Sequence, residues 1–147
     1  FSPLKGALNQ YLSHESELWL DGGHNADGAQ VLAQGLADLN EKSSRPLTLV
    51  LGMLANKDIK GYLSAFDGLA HRIITVPVPD DDLATNAGSS PEGLAQTAGE
   101  LGFRAQPAHS IVEALKLVER DGPQRVVICG SLYLAGHVLL ENETPPQ

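Results

Sequence analysis

The chain has 147 residues, the size of one ordinary domain, and 42% of them are hydrophobic, enough to bury a real core. Ten basic against 18 acidic residues leave a formal net charge of −8, so no Lys/Arg stripe exists to bind a nucleic-acid backbone, and an anionic substrate would need local positive charge. No apolar run approaches the roughly 18–20 residues of a membrane span, and the N-terminus lacks the basic-then-apolar order of a secretory signal; a cytoplasmic protein without a membrane partner is the expectation.

Residues 1–16 are weakly patterned and read as a linker or N-terminal extension with a helical turn. A start at Phe1 rather than Met is consistent with a fragment of something longer. From residue 17 to 141 the rhythm is regular and predicts one domain, with 142–147 as a flexible tail. Apolar, β-branched runs predict strands at 17–20, 47–53, 72–78, 103–108 and 125–130. Helical spacing predicts a helix over 27–41 burying Leu32, Leu36 and Leu39, and another over 58–69 burying Ile59, Leu63 and Phe66. A third is marked by Leu94, Ala98 and Leu101, and a fourth by Val112, Leu115 and Leu117 or Val118. A last helix, about 132–141, carries Leu132, Ala135 and Leu139 on one side. Gly136 inside it costs about 1 kcal/mol against alanine, which suggests close packing there.

Strands alternating with helices predict an α/β fold: a Rossmann-like, mostly parallel sheet of five or six strands with helices on both faces. Runs such as "LTLVLGM" and "RVVICG" are apolar continuously, as strands covered on both faces should be. The single cysteine, Cys129, lies in the second of them and reads as a buried thiol. In such sheets ligands collect at the carboxyl ends of the strands, so the loops that follow them are where chemistry is sought.

"DGGHN" (21–25) sets Asp21 at a strand end, gives Gly22-Gly23 a backbone course closed to other residues, and offers Asn25 or Asp27 as a helix cap. A turn with a surface His24 explains it equally well. It is neither a dinucleotide fingerprint nor a Walker loop, and no GK[ST] occurs in the chain. In "GMLANKD" Asp58 suits a helix start, whereas Lys57 placed there hints at an anionic partner. "CGSLYLAG" sets Ser131 beyond a core strand, either as a plain N-cap or as part of a carboxylate or phosphate seat. The run Asp80-Asp81-Asp82 reads as a solvated loop, the five histidines show no metal-ligand spacing, and no Ser-His-Asp elbow is visible.

"LDGGHNADGA", "LVLGMLANKD" and "VVICGSLYLAG", in that order over residues 17–140, resemble the C-terminal domain of folylpolyglutamate synthase and bifunctional dihydrofolate synthase, members of the Mur ligase superfamily. The resemblance implies an ATP-dependent ligase that joins a folate or dihydropteroate carboxylate to the amine of L-glutamate through an acyl phosphate. It implies ATP and Mg2+ held mainly by an N-terminal ATPase domain of the same protein; neither that domain's P-loop nor the family's ATP-contacting linker arginine is found in this sequence. Asp21 would then approach the ATP, and His24, Ser131 and Lys57 would seat the glutamate. No residue of this chain is assigned a catalytic or metal-binding role, and the isolated domain is expected to be inactive. Two other readings are a stand-alone Rossmann-like binding module and a signalling receiver domain. A receiver, however, needs a lysine after the last strand, where this chain has "GSLYLAG".

Overall fold

The computed structural model describes residues 1–55, 57–79 and 90–143, so the Asp80–Asp82 run lies outside the described residues. The elements in chain order are β1 (Ser2–Pro3), a 3-10 helix (Ala7–Tyr11), β2 (Glu17–Leu20), α1 (Ala26–Lys42), β3 (Leu47–Leu51) and α2 (Ile59–Ser64). They continue with β4 (Arg72–Thr75), α3 (Pro91–Glu100), β5 (Ala105–Pro107), α4 (Ile111–Glu119), β6 (Arg125–Cys129) and α5 (Leu132–Glu143). The six strands form one sheet in the order β1-β2-β6-β3-β4-β5. Every pairing is parallel except that of β1, which runs antiparallel to β2 at the edge. Among the described residues no helix is long and apolar enough to cross a membrane.

Side chains alternate across the central strands into two separate apolar layers. Val50, Ile74, Val126 and Ile128 face the 3-10 helix, α4 and α5. Leu49, Leu51, Ile73, Val127 and Cys129 face α1, α2 and α3. Both faces are covered, which is why these strands read as continuous apolar runs. Each helix starts on a polar cap whose side chain accepts an amide hydrogen from the first turn: Asn25, Asp58, Ser90, Ser110 and Ser131. Cys129 is sealed inside, and burial pushes its thiol up to about 12, leaving it protonated and inert.

Several elements depart from the sequence expectation. Residues 1–16 do more than link: Ser2–Pro3 adds the antiparallel edge, and Leu4, Leu8 and Leu12 are core residues. Their leucine spacing is served by a 3-10 helix and its flanks, a pattern too short to register as a periodic element. α2 ends at Ser64, after which Phe66, Asp67 and Leu69 donate to carbonyls three residues back and Gly68 turns at φ 76°. The tightening still buries Phe66. β5 is short, as expected for an edge strand ending in a proline. Leu101 caps the end of α3, partly exposed, instead of lying on its buried face.

α5 is the clearest correction. Its buried residues are Leu134, Ala135, Val138 and Asn142, while Leu132 and Leu139 are exposed. The helix is apolar almost all round, so its period could not choose a face. Gly136 packs against nothing: a Cβ there would have open space, so the expected close contact is absent. The helix also continues to Glu143, and Asn142 anchors it by accepting from the Leu8 amide and donating to the Lys5 carbonyl. Residues 144–147 lie outside the described residues.

Candidate functional site

The carboxyl ends of β2, β3 and β6 lie side by side, so their three following loops converge on one edge of the sheet. Between them opens a cavity of about 340 Å³ lined by His24, Leu54, Lys57, Ser131, Leu132 and Tyr133. Three of the four residues singled out in the sequence are therefore brought together, from three loops that together span more than a hundred positions.

Each is positioned by its local chemistry. His24 precedes the Asn25 cap of α1, whose side chain accepts from the Gly28 amide at 2.8 Å. Its own Nδ1 is sealed from solvent and has no partner among the described residues. Lys57 precedes the Asp58 cap of α2 and has no acidic partner among the described residues. With six residues α2 is too short for its terminus to supply much field, so the Lys57 charge itself matters more than the helix start it precedes. Ser131 is nearly sealed, and its Oγ accepts from the Leu134 amide at 3.2 Å, which is the cap role. The amides of Leu132 and Tyr133 hold no partner among the described residues, as the first turn of a helix requires. One wall is thus positive and donor-rich, with no lining carboxylate among the described residues, a local reversal of the chain's negative charge.

Glycines permit this convergence. Gly130 sits at φ 104°, and a Cβ there would come within 2.5 Å of the Gly52 carbonyl. Gly22 and Gly23 do not adopt positive φ, so their expected conformational freedom is not the reason for them. Space is: a Cβ on Gly23 would lie 2.8 Å from Asp21 Oδ2, and one on Gly22 3.2 Å from a Leu132 methyl.

Asp21 shares the edge of the sheet but does not line the cavity. Its backbone amide extends the β2–β6 ladder by donating to Ile128, and its carboxylate accepts from the Gly23 amide at 2.9 Å. The cavity walls Leu54, Leu132 and Tyr133 were missed in the sequence. For Leu132 and Tyr133 the available signal was their place in the first turn after a strand end, which outranks their apolar character. Below the site, Tyr62 is fully buried with its hydroxyl unpartnered among the described residues, and burial drives its phenol far above the ordinary value. Among the described residues no group of three His, Cys, Asp or Glu side chains could hold a metal ion.

With this geometry in place, comparison with known proteins is decisive. The dihydrofolate synthetase C-terminal domain family matches residues 5–141. The chain belongs to that family. Folylpolyglutamate synthase of Lacticaseibacillus casei is 33% identical over 120 residues, which are 81% of this chain and 25% of that protein. Mycobacterium tuberculosis folylpolyglutamate synthase complexed with ADP is similar in structure with a TM-score of 0.71 at 26% identity, over 89% of this chain and 31% of that one. A bifunctional folylpolyglutamate synthase/dihydrofolate synthase with Mn, AMPPNP and L-glutamate bound gives 0.64 at 27% identity, over 88% and 30% respectively. The chain spans about a quarter of the length of its curated relative. As a dihydrofolate synthetase C-terminal domain it carries Gly130-Ser131 after its last strand, which leaves no place for a signalling receiver.

Proposed function

We propose that this domain is the glutamate-handling lobe of an ATP-dependent ligase acting in the cytoplasm. That enzyme would join the carboxylate of a folate or dihydropteroate to the amine of L-glutamate through an acyl phosphate. The observation that carries the reading is the gathering of His24, Lys57 and Ser131 around one cavity at the carboxyl edge of the sheet.

In this reading a glutamate carboxylate meets the Lys57 ammonium, the edge of the His24 imidazole that lines the cavity and the unpaired first-turn amides of α5, while Ser131 holds that turn in place. Burial of the lysine's partner on binding strengthens the attraction, since charges separated from water interact more strongly. Asp21 lies outside the cavity and would reach toward the ribose or adjoining groups of ATP held by the N-terminal lobe. ATP supplies the phosphoryl group that activates the carboxylate, and Mg2+ neutralises its charge. In this reading the metal would be held by the N-terminal lobe. This lobe's work is positioning: closing over its partner keeps water from the acyl phosphate and orients the amine.

His24→Ala in the enzyme carrying both lobes tests the assignment. It should raise the glutamate KM about tenfold, the loss expected for one hydrogen bond to a charged group, with the ATP KM unchanged. A larger effect on ATP than on glutamate reassigns His24 to the nucleotide. The 147-residue chain alone should fold and show no ATP-dependent ligation, and measurable ligation by it would falsify the division between lobes.

A further inference from the structure

A second cavity, of about 380 Å³, opens at the opposite, amino edge of the same sheet. It lies between α1 and the turns that follow α2, with Leu36, Leu47 and Leu69 as apolar wall and Asn40, Arg45 and Arg125 as polar wall. Strands β3 and β6 are five residues long, so it sits about 16 Å of strand away from the glutamate cavity. Nothing in the proposed ligation uses it.

Its charge is not balanced by what surrounds it. Arg125 is 2% exposed and donates from Nε and Nη2 to the two oxygens of Glu17, with Nη2 also reaching the Ser43 carbonyl. Arg45 donates to the same carboxylate at 2.6 Å, to Ser43 Oγ and to the Glu15 carbonyl. Two guanidiniums therefore share one carboxylate, which also accepts from the Trp19 indole and has no capacity left. No hydrogen bond to a described residue occupies Nη2 of Arg45 or Nη1 of Arg125. Among the described residues no acidic side chain lines the cavity, whose size is that of a small-molecule site.

We propose that this cavity binds a small molecule with an oxyanion head and an apolar body, its carboxylate or phosphate held by Arg45 and Arg125 and its body laid along Leu36, Leu47 and Leu69. A planar guanidinium with free nitrogens pairs with either oxyanion, and a purely structural ion pair needs only one arginine per carboxylate. The apolar wall selects against a bare ion.

The test is a titration of the 147-residue chain with phenyl phosphate, benzoate and inorganic phosphate, followed by amide chemical shifts. One of the two aromatic probes should bind saturably and more tightly than inorganic phosphate, moving the amides of Leu36, Leu47 and Leu69. Preference for phenyl phosphate or for benzoate names the head group. Arg45→Ala, at a partly exposed position, should weaken that binding threefold or more. Asn40→Asp keeps both arginines, adds a repelling carboxylate to an exposed helix face, and should do the same. Absence of saturable binding by either aromatic probe, shifts confined to the other edge of the sheet, or a change below threefold in both variants overturns the proposal.

Discussion

The two edges of the sheet are both cationic, yet they hold their cations differently. At the carboxyl edge, among the described residues, Lys57 has no acidic partner, no hydrogen bond holds the His24 ring, and the first-turn amides of α5 are open. At the amino edge Arg45 and Arg125 are tied to Glu17, which links β2, β6 and the loop before β3. A donor left open at a cavity is available to a ligand and contributes little to folding, whereas a buried donor already paired holds elements together and is costly to orphan. Ligation by the proposed enzyme carrying both lobes should therefore respond to the carboxyl edge and stability to the amino edge, with both responding only where backbone geometry is shared.

Gly130→Val strikes the shared geometry and should have the largest effect. Positive φ and the approach of Gly52 together cost about 3 kcal/mol or more, so the thermal midpoint and ligation should both fall steeply. An unchanged melting curve would mean that the convergence of loops does not depend on this turn. Glu17→Ala comes next, orphaning Arg125 at a site open to solvent on one side; a loss of about 2 kcal/mol by denaturant titration is expected. The same link predicts acid sensitivity. Hydrogen bonds from Arg125 outweigh the opposing effect of burial and hold the Glu17 carboxyl below its ordinary 4.5. A carboxylate lowered by folding contributes stability that is fully present above that value and is lost as the pH falls through the folded one. The drop in stability below about pH 4.5 should accordingly be shallower in Glu17→Ala than in the parent.

Ser131→Ala should cost about 1 kcal/mol, the loss of one helix cap, and should raise the glutamate KM through the loosened first turn of α5. The smallest stability change belongs to Lys57→Ala, within about 0.5 kcal/mol, alongside a clear rise in the glutamate KM. Were Lys57→Ala to destabilise as much as Glu17→Ala, the contrast between the edges would not hold.

Much of the fold was legible because strand and loop chemistry are local. "RVVICG" and "LTLVL" announce buried strands by composition, and the caps Asn25, Asp58 and Ser131 each stand where their elements begin. The α/β class pointed to the loops after the strands and the family resemblance implied a shared role for His24, Lys57 and Ser131, which are contiguous nowhere in the chain. The buried face of α5 was not legible, because a helix apolar on nearly every side has no period to read. Nor was the Glu17–Arg45–Arg125 cluster, whose members lie 28 and 108 residues apart and look in sequence like ordinary solvated charges.

By itself the sequence determined the alternation of buried strands and capped helices, hence the α/β class and the loops that could bear a site, because these follow from each residue's immediate neighbours. The tertiary structure decided which face of α5 is buried, that residues 1–16 complete the sheet edge, and that Asp21 stands outside the cavity its neighbours form. Those outcomes depend on strand order and on where distant backbones meet, and pairing energies between remote segments leave no mark on either segment alone.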